Sequence, residues 1–139
     1  AQILNLLMDL QEQHNLTYMF ITHDMSVVKH ISNRIAVMYL GQCVEFSETE
    51  ELFNNPMHPY TQALLDAIPI PELSERSREP HIHHKKERII LKGELVSPID
   101  PKPGCRFASR CPYASEACSM QDIQLNEVTP GHFVACTRY

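Results

Sequence analysis

A proline-rich and highly charged segment from Pro69 to Arg88 divides the sequence into two unlike parts. The segment holds three prolines, nine charged residues and three histidines. This composition favours an exposed linker over a packed helix or strand. We therefore predict one part over residues 1–69 and a second, loop-rich part over residues 70–139.

The first part has the succession of helix and strand patterns that is typical of an α/β domain. An amphipathic helix is predicted to run to about His14, and a second helix, Met25–Ile31, has Asp24 as its N-cap. The run Leu16–Ile21 between them is apolar on both faces. It predicts a strand covered by helices on both sides, as in a parallel sheet.

The same part continues with a predicted hairpin and two short helices. Arg34–Tyr39 and Gln42–Phe46 are the two strands of the hairpin, joined at Gly41. Thr49 is predicted to cap the first of the two helices. His58 is predicted to cap the second, because the proline after it suits the first helical position.

Charge and hydrophobicity exclude two classes of function. The chain has 12 basic and 17 acidic residues and a net charge of −5, which argues against a nucleic-acid partner. Its longest apolar run, Ile35–Leu40, is far shorter than the ~20 residues of a membrane-spanning helix.

Thr22, His23 and Asp24 follow the carboxyl end of the predicted strand Leu16–Ile21. In open α/β sheets, ligands bind beyond the carboxyl ends of the strands. A histidine at that position can donate a hydrogen bond to a phosphate or hold a water molecule. On its own, such a histidine is more often an ordinary loop residue.

Three stretches of sequence together resemble one protein family. ITHD resembles a switch-histidine loop, RIAVMYLGQCVEF the hairpin after it, and NPMHPYTQALL a His-Pro-Tyr element. These are features of ATP-binding subunits of ABC transporters, in the branch that imports oligopeptides, dipeptides and nickel. The resemblance extends over nearly the whole chain.

The resemblance implies roles that composition and spacing do not show. His23 would be the switch histidine, which contacts the γ-phosphate of ATP and helps to place the attacking water. ATP and Mg²⁺ would be cofactors of the intact subunit. Its partners would be a second ATP-binding subunit and membrane permease subunits, which handle the peptide or nickel substrate. The location implied is the cytoplasmic face of the plasma membrane.

Other parts of that family pattern are absent from the sequence. No G-x-x-x-x-G-K-[ST] phosphate loop is present, and neither is the LSGGQ signature. In the family, these motifs lie upstream of the matched residues. The resemblance therefore implies the distal piece of a P-loop nucleotide-binding domain, and we predict that this chain does not hydrolyse ATP alone.

The second part of the chain is dominated by cysteines with the pattern Cys105-x5-Cys111-x6-Cys118-x17-Cys136. Four thiolates can hold an iron–sulfur cluster or a structural zinc, and four cysteines can also form two disulfides. Zinc sites usually contain closely paired cysteines, and no such pair occurs here. Arg106 and Arg110 are candidates to offset the negative charge of a cluster.

The family that the sequence resembles gives a further indication of what these cysteines bind. Its importer branch has a cysteine-rich C-terminal element, GCRFASRCPYASEAC in this sequence, which in some members holds a 4Fe–4S cluster. An alternative function remains, in which the chain is a stand-alone iron–sulfur or zinc-binding interaction module. A strand apolar on both faces also predicts self-association of the isolated chain, since unpaired edges and apolar patches promote association.

Overall fold

The computed structural model describes residues 2–68 and 99–139, which form a mixed α/β fold with one antiparallel sheet. The predicted linker falls outside the described residues. In chain order, the elements are α1 (Gln2–His14), α2 (Met25–Ile31), β1 (Arg34–Tyr39), β2 (Gln42–Glu48), α3 (Thr49–Asn54), α4 (Pro59–Asp66), a 3₁₀ turn (Ala108–Arg110), α5 (Ala117–Met120), β3 (Asn126–Thr129) and β4 (His132–Val134).

The helices α1 and α2 have the predicted bounds. Asn15 ends α1 with a positive φ of 51°, a conformation that asparagine tolerates better than most residues. The carboxylate of Asp24 caps α2 by accepting hydrogen bonds from the amides of Ser26 and Val27. Both helix boundaries therefore follow from local side-chain chemistry.

The predicted strand Leu16–Ile21 is wrong, because this segment has no regular secondary structure and lies outside the sheet. Met19 is 88% exposed and Ile21 is 93% exposed. A strand of this kind requires neighbouring strands to satisfy its backbone groups, and none of the described strands pairs with it. The apolar composition of this segment predicted burial, but the described residues do not cover Met19 and Ile21.

The hairpin of β1 and β2 is confirmed, and it contains a bulge that the sequence analysis missed. Val37 pairs with Glu45 and Met38 pairs with Cys43, so Val44 is an extra residue in β2. Val44 and Glu45 are consecutive, yet both are buried. A bulge locally breaks the alternation of a strand, and here it allows a carboxylate to enter the interior beside a core valine.

The sheet has the order β1-β2-β4-β3, so residues from the two sides of the undescribed segment share one sheet. Glu45 pairs with Val134, and Phe46 pairs with Phe133. One face of β1 and β2 packs against α2 and α3 in a core that includes Phe107 from the cysteine-rich part. The other buried members of this core are Val28, Ile35, Val37, Tyr39, Val44 and Leu52.

Thr49 does not cap α3 as predicted. It is the first helical residue, and its hydroxyl donates to the carbonyl of Ser32 at 2.6 Å. His58 does cap α4, since its Nδ1 accepts a hydrogen bond from the amide of Tyr60. Pro59 then occupies the first helical position, where a missing N–H has no cost.

Candidate functional site

His23 lies in the exposed bend that leads into α2. The bend is ordered by its neighbours, because the amide of Asp24 donates to the hydroxyl of Thr22 at 3.1 Å. The Ser26 hydroxyl and the Val27 amide bond the Asp24 carboxylate and lower its pKa. The imidazole therefore projects from a capped helix start, where it is accessible to a ligand.

The structure brings the four clustered cysteines together around one cavity. Three of them are held by tight local turns. The amide of Cys105 donates to the carbonyl of Cys118 at 2.7 Å, and the 3₁₀ turn carries the chain from Cys105 to Cys111. The cavity is lined by Cys105, Cys111, Cys118 and Cys136, together with His58, Pro59, Phe107 and Arg138.

Gly104 permits the close approach of two of these turns. Its φ is +101°, and a Cβ at this position would lie 2.2 Å from the carbonyl oxygen of Cys118. No side chain fits in that space, because the obstructing atoms belong to the backbone. The amide of Gly104 donates to the Asp122 carboxylate at 3.0 Å, which holds the turn from the other side.

Backbone amides point at the sulfurs in a repeated pattern. The amide of Tyr113 donates to Sγ of Cys111 at 3.4 Å. Backbone amides of Phe107 and Arg138, two residues after Cys105 and Cys136, partly offset the burial that raises the pKa of those thiols. An N–H donor stabilises a thiolate more than a thiol, so this arrangement suits deprotonated sulfurs.

The thiols have different acidities in the absence of a bound cation. Burial raises the pKa of Cys105, Cys111 and Cys136, and mutual repulsion among the thiolates adds to this effect. Burial opposes ionisation of Cys118 as well. Hydrogen bonds from Thr137, at 3.2 Å, and Ser115 outweigh it and lower the pKa of Cys118. Ionisation is therefore harder than in a free cysteine at three of the four positions and easier at Cys118.

The sequence suggested that the four clustered cysteines bind an iron–sulfur cluster or a zinc ion. Among residues 2–68 and 99–139, no three His, Cys, Asp or Glu side chains are arranged to hold one metal ion. The four cysteines therefore share one cavity without forming a group that could hold a metal ion.

The predicted arginines do not line the cavity. A guanidinium nitrogen of Arg106 donates to the carbonyl of Leu40, at the turn of the hairpin. Arg138 is the cation at the cavity, where its charge partly offsets the burial that raises the pKa of Cys111 and Cys136. It also lies 4.3 Å from the ring centroid of Tyr113. The position of Arg138 beside the cavity could not be predicted from the sequence, because it depends on the path that the chain takes after β4.

A buried carboxylate joins the cysteine-bearing segment to the rest of the fold. Glu45 is fully buried and accepts hydrogen bonds from the amides of Met57 at 2.8 Å and His58 at 2.9 Å. Nε2 of His132, in β4, lies 2.7 Å from the same carboxylate. Nδ1 of His132 lies 3.3 Å from Glu51. The alternating sequence of β2 does not predict this network, because the bulge at Val44 is what brings the Glu45 carboxylate into the interior.

His58 forms part of the wall of the cysteine cavity, although the sequence suggested only a helix cap. Its side chain is 1% exposed, and burial lowers its pKa to about 4. Its ring packs against Phe107 with centroids 5.9 Å apart. The imidazole is therefore neutral near pH 7 and held between α4 and the cysteine turns.

Comparison with known proteins identifies the class to which this fold and site belong. A family model described as "Oligopeptide/dipeptide transporter, C-terminal region" matches residues 44–118, from the bulge of β2 to the third clustered cysteine. The chain belongs to this family.

Individual relatives agree with the family match. The putative oligopeptide transport ATP-binding protein YkfD and the oligopeptide transport ATP-binding protein AppF, both of Bacillus subtilis, are each 52% identical over 139 residues. The dipeptide transport ATP-binding protein DppF of Haemophilus influenzae is 50% identical over 136 residues. The matches cover 98–100% of this chain and 39–40% of the relatives, so the chain spans about two fifths of their length. None of the helices within residues 2–68 and 99–139 reaches the length and hydrophobicity of a membrane span.

Proposed function

We propose that this chain is the C-terminal part of the ATP-binding subunit of an ABC importer for oligopeptides or dipeptides. The observation that carries the proposal is the match of the full 139 residues to oligopeptide transport ATP-binding proteins at 52% identity. This relationship favours the transporter function over a stand-alone metal-binding module. In the intact subunit, ATP binding and hydrolysis with Mg²⁺ would be coupled to transport.

His23 is proposed as the switch histidine of that subunit. Its exposed position before a capped helix leaves the imidazole accessible to the γ-phosphate. Phosphoryl transfer depends on positioning and on charge stabilisation around that group. The chain has no phosphate loop of its own, so the remaining groups would come from upstream residues of the intact subunit.

The implied partners are a second ATP-binding subunit and the membrane permease subunits. The assembly would place this chain at the cytoplasmic face of the plasma membrane. The peptide or nickel substrate would be handled by the other subunits. The exposed side chains of Met19 and Ile21 are proposed to be covered by upstream residues of the intact subunit, and to cause self-association when the chain is alone. Sedimentation of the isolated chain as a monomer at all concentrations would contradict this association.

A chimeric subunit tests the transport function directly. The upstream three fifths of AppF would be joined to this chain in place of the matching residues. We expect ATP hydrolysis and peptide uptake in cells that lack their own AppF, and no hydrolysis by the isolated chain. His23→Ala should abolish hydrolysis but retain ATP binding, while His30→Ala, an exposed histidine of α2, should leave hydrolysis unchanged. Activity that survives His23→Ala would contradict the assigned role.

We further propose that Cys105, Cys111, Cys118 and Cys136 hold a 4Fe–4S cluster in this part of the subunit. Convergence of the four residues on one cavity and the backbone donors near their sulfurs support the proposal. A cluster on these thiolates would cross-link the turns that carry them and could exchange an electron.

Metal analysis of protein purified without oxygen tests this site. We expect about four iron and four acid-labile sulfide per chain, as a 4Fe–4S cluster requires. Cys111→Ser should reduce both, while Cys43→Ser should reduce neither, because Cys43 lies in β2 outside the cavity. Zinc without sulfide would contradict the cluster, and the absence of both metals would leave only free thiols.

A further inference from the structure

We propose that His132 carries a proton on both ring nitrogens in the folded chain and acts as a proton-dependent clasp that holds β4 against β2 and α3. The clasp joins the C-terminal strand to elements from the other side of the undescribed segment. It is independent of the transport function and of the cysteine site proposed above, because none of its three side chains, Glu45, Glu51 and His132, lines the cysteine cavity.

The ring of His132 lies between two carboxylates. Its Nε2 lies 2.7 Å from Oε1 of Glu45, and its Nδ1 lies 3.3 Å from Oε1 of Glu51. A neutral imidazole has one N–H donor and one bare nitrogen, so it can donate to only one of the two carboxylates. The bare nitrogen would then face the lone pairs of the other carboxylate, which is a repulsive contact. An imidazolium has one donor for each of them.

Both carboxylates are ionised near neutral pH. Glu45 is fully buried, and its two oxygens accept hydrogen bonds from two backbone amides at 2.8 and 2.9 Å. Amide donors of this kind stabilise the ionised form of a carboxyl group. Hydrogen bonds from Asn55 and His132 lower the pKa of Glu51. Two charged acceptors therefore require two donors on the ring between them.

The charge balance around the ring also favours the imidazolium. Within residues 2–68 and 99–139, His132 is the only basic side chain in a salt bridge with Glu45 or Glu51. Arg34 of β1 lies over the ring of Phe46, the residue after Glu45, and strand alternation directs that ring to the opposite face of the sheet. Loss of the second proton would leave Glu45 buried without a cation, which is unfavourable in a low-dielectric interior.

Other titratable groups on the elements around the clasp are neutral or acidic. The thiols of Cys43 and Cys136 interact electrostatically with Glu45, and burial raises the pKa of both, so they are uncharged near neutral pH. At the start of α4, burial lowers the pKa of His58 to about 4, which leaves its ring neutral. On β3, the carboxylate of Glu127 accepts a hydrogen bond at 2.8 Å from an amide of the turn before β4. None of these four groups supplies a positive charge that would replace the imidazolium.

The clasp makes the attachment of β4 depend on pH. This strand is only three residues long, and the amide of Ala135 just after it donates to the carbonyl of Val44 in β2 at 2.9 Å. Loss of the second proton from His132 would change one of the two ring contacts from attractive to repulsive. The clasp is therefore closed while the ring holds two protons, and β4 opens more often as the pH rises and the ring becomes neutral.

Nitrogen NMR of the full chain with ¹⁵N-labelled histidine reports the ring protons directly. An imidazolium gives similar signals from two protonated nitrogens, whereas a neutral ring gives one protonated and one bare signal. His132→Gln identifies the signals of His132 by their loss. His58 is the internal reference, since its ring is neutral and its Nδ1 accepts a hydrogen bond from the amide of Tyr60. At about pH 7.5, where an ordinary histidine is about 90% neutral, we expect two protonated nitrogens at His132 and one at His58.

The matched variants Glu51→Gln and Glu50→Gln test what holds the second proton. Both remove one negative charge from the first turn of α3, but only Glu51 contacts the ring. Glu51→Gln should lower the pH at which His132 is half protonated by about half a unit, as expected for a partly exposed ion pair, and Glu50→Gln should lower it much less. Protection of the Ala135 amide from hydrogen exchange should fall as His132 loses its proton, and at a lower pH in Glu51→Gln.

Three results would overturn the inference. The first is a His132 ring with one bare nitrogen at the pH where His58 also shows one. The second is an equal shift of the His132 titration in Glu51→Gln and Glu50→Gln, and the third is protection of the Ala135 amide that stays constant while His132 titrates. Each of them would leave the transport function and the cysteine site untouched, since neither depends on the clasp.

Discussion

The buried histidine of α4 makes the stability of this chain depend on pH in a predictable direction. Burial lowers the pKa of His58 from 6.5 to about 4. An acid-induced loss of stability follows, because the unfolded chain takes up a proton at a higher pH than the folded chain does. The contribution of His58 is complete above pH 6.5 and declines as the pH falls toward 4.

The size of the effect follows from those two values. Linkage gives a loss of about 2 kcal/mol at pH 5 and about 3 kcal/mol at pH 4, relative to pH 7. Since whole domains are stable by only about 5–15 kcal/mol, this single group would be a large part of the acid sensitivity.

The assay is urea denaturation of wild type and His58→Asn at several pH values from 7 to 4. Asparagine retains the helix cap and does not titrate, so the contributions of other acidic and basic groups cancel in the difference between the two proteins. The stability of wild type should fall by about 2 kcal/mol more than that of the variant between pH 7 and pH 5. A difference that stays constant over this range would refute the assignment of a neutral, buried His58.

Three further predictions concern the joint between the two parts and the cysteine turns. Glu45→Gln should lower the free energy of unfolding, measured by urea denaturation, by about 3 kcal/mol, because the substitution disrupts a buried charged network. The control Glu48→Gln, at an exposed position, should change the free energy of unfolding by less than about 0.5 kcal/mol. Gly104→Ala should disrupt the cysteine turns, as shown by faster thiol alkylation at neutral pH. Gly131→Ala, which has a positive φ but no atom within 4 Å of the new Cβ, should leave alkylation unchanged. In metal-free protein, thermal stability should fall above about pH 8.5, because the cysteines whose pKa is raised by folding lose their protons more readily in the unfolded chain. Thermal stability that stays level up to pH 10 would contradict this prediction.

Much of the local structure could be predicted because it depends on neighbouring residues. The bounds of α1 and α2, the Asp24 cap and the start of α4 after His58 all arise from side chains within a few positions of each helix end. The four cysteines were also recognisable as a group. Their pattern predicted a metal site; the structure places them around one cavity, and metal binding there stays a prediction.

The errors and omissions involve partners that are distant in the sequence. Leu16–Ile21 has the composition of a buried strand, but that composition cannot indicate which other strands are available to cover it. Glu45 occupies a position where simple alternation gives no reason for a buried carboxylate, and only the bulge and the remote His132 explain it. Both cases show that burial of a residue is a property of its partners as well as of its own type.

The pairing of β4 with β2 also has a consequence for the order of folding. His132 lies 87 positions after Glu45, so this contact brings the ends of a long loop together at an entropic cost of about 4 kcal/mol. The β1–β2 hairpin, by contrast, can form early from adjacent residues. During synthesis, this edge of β2 therefore stays unpaired until residues 132–134 have been made. That interval is when the nascent chain is most exposed to pairing with the wrong strand.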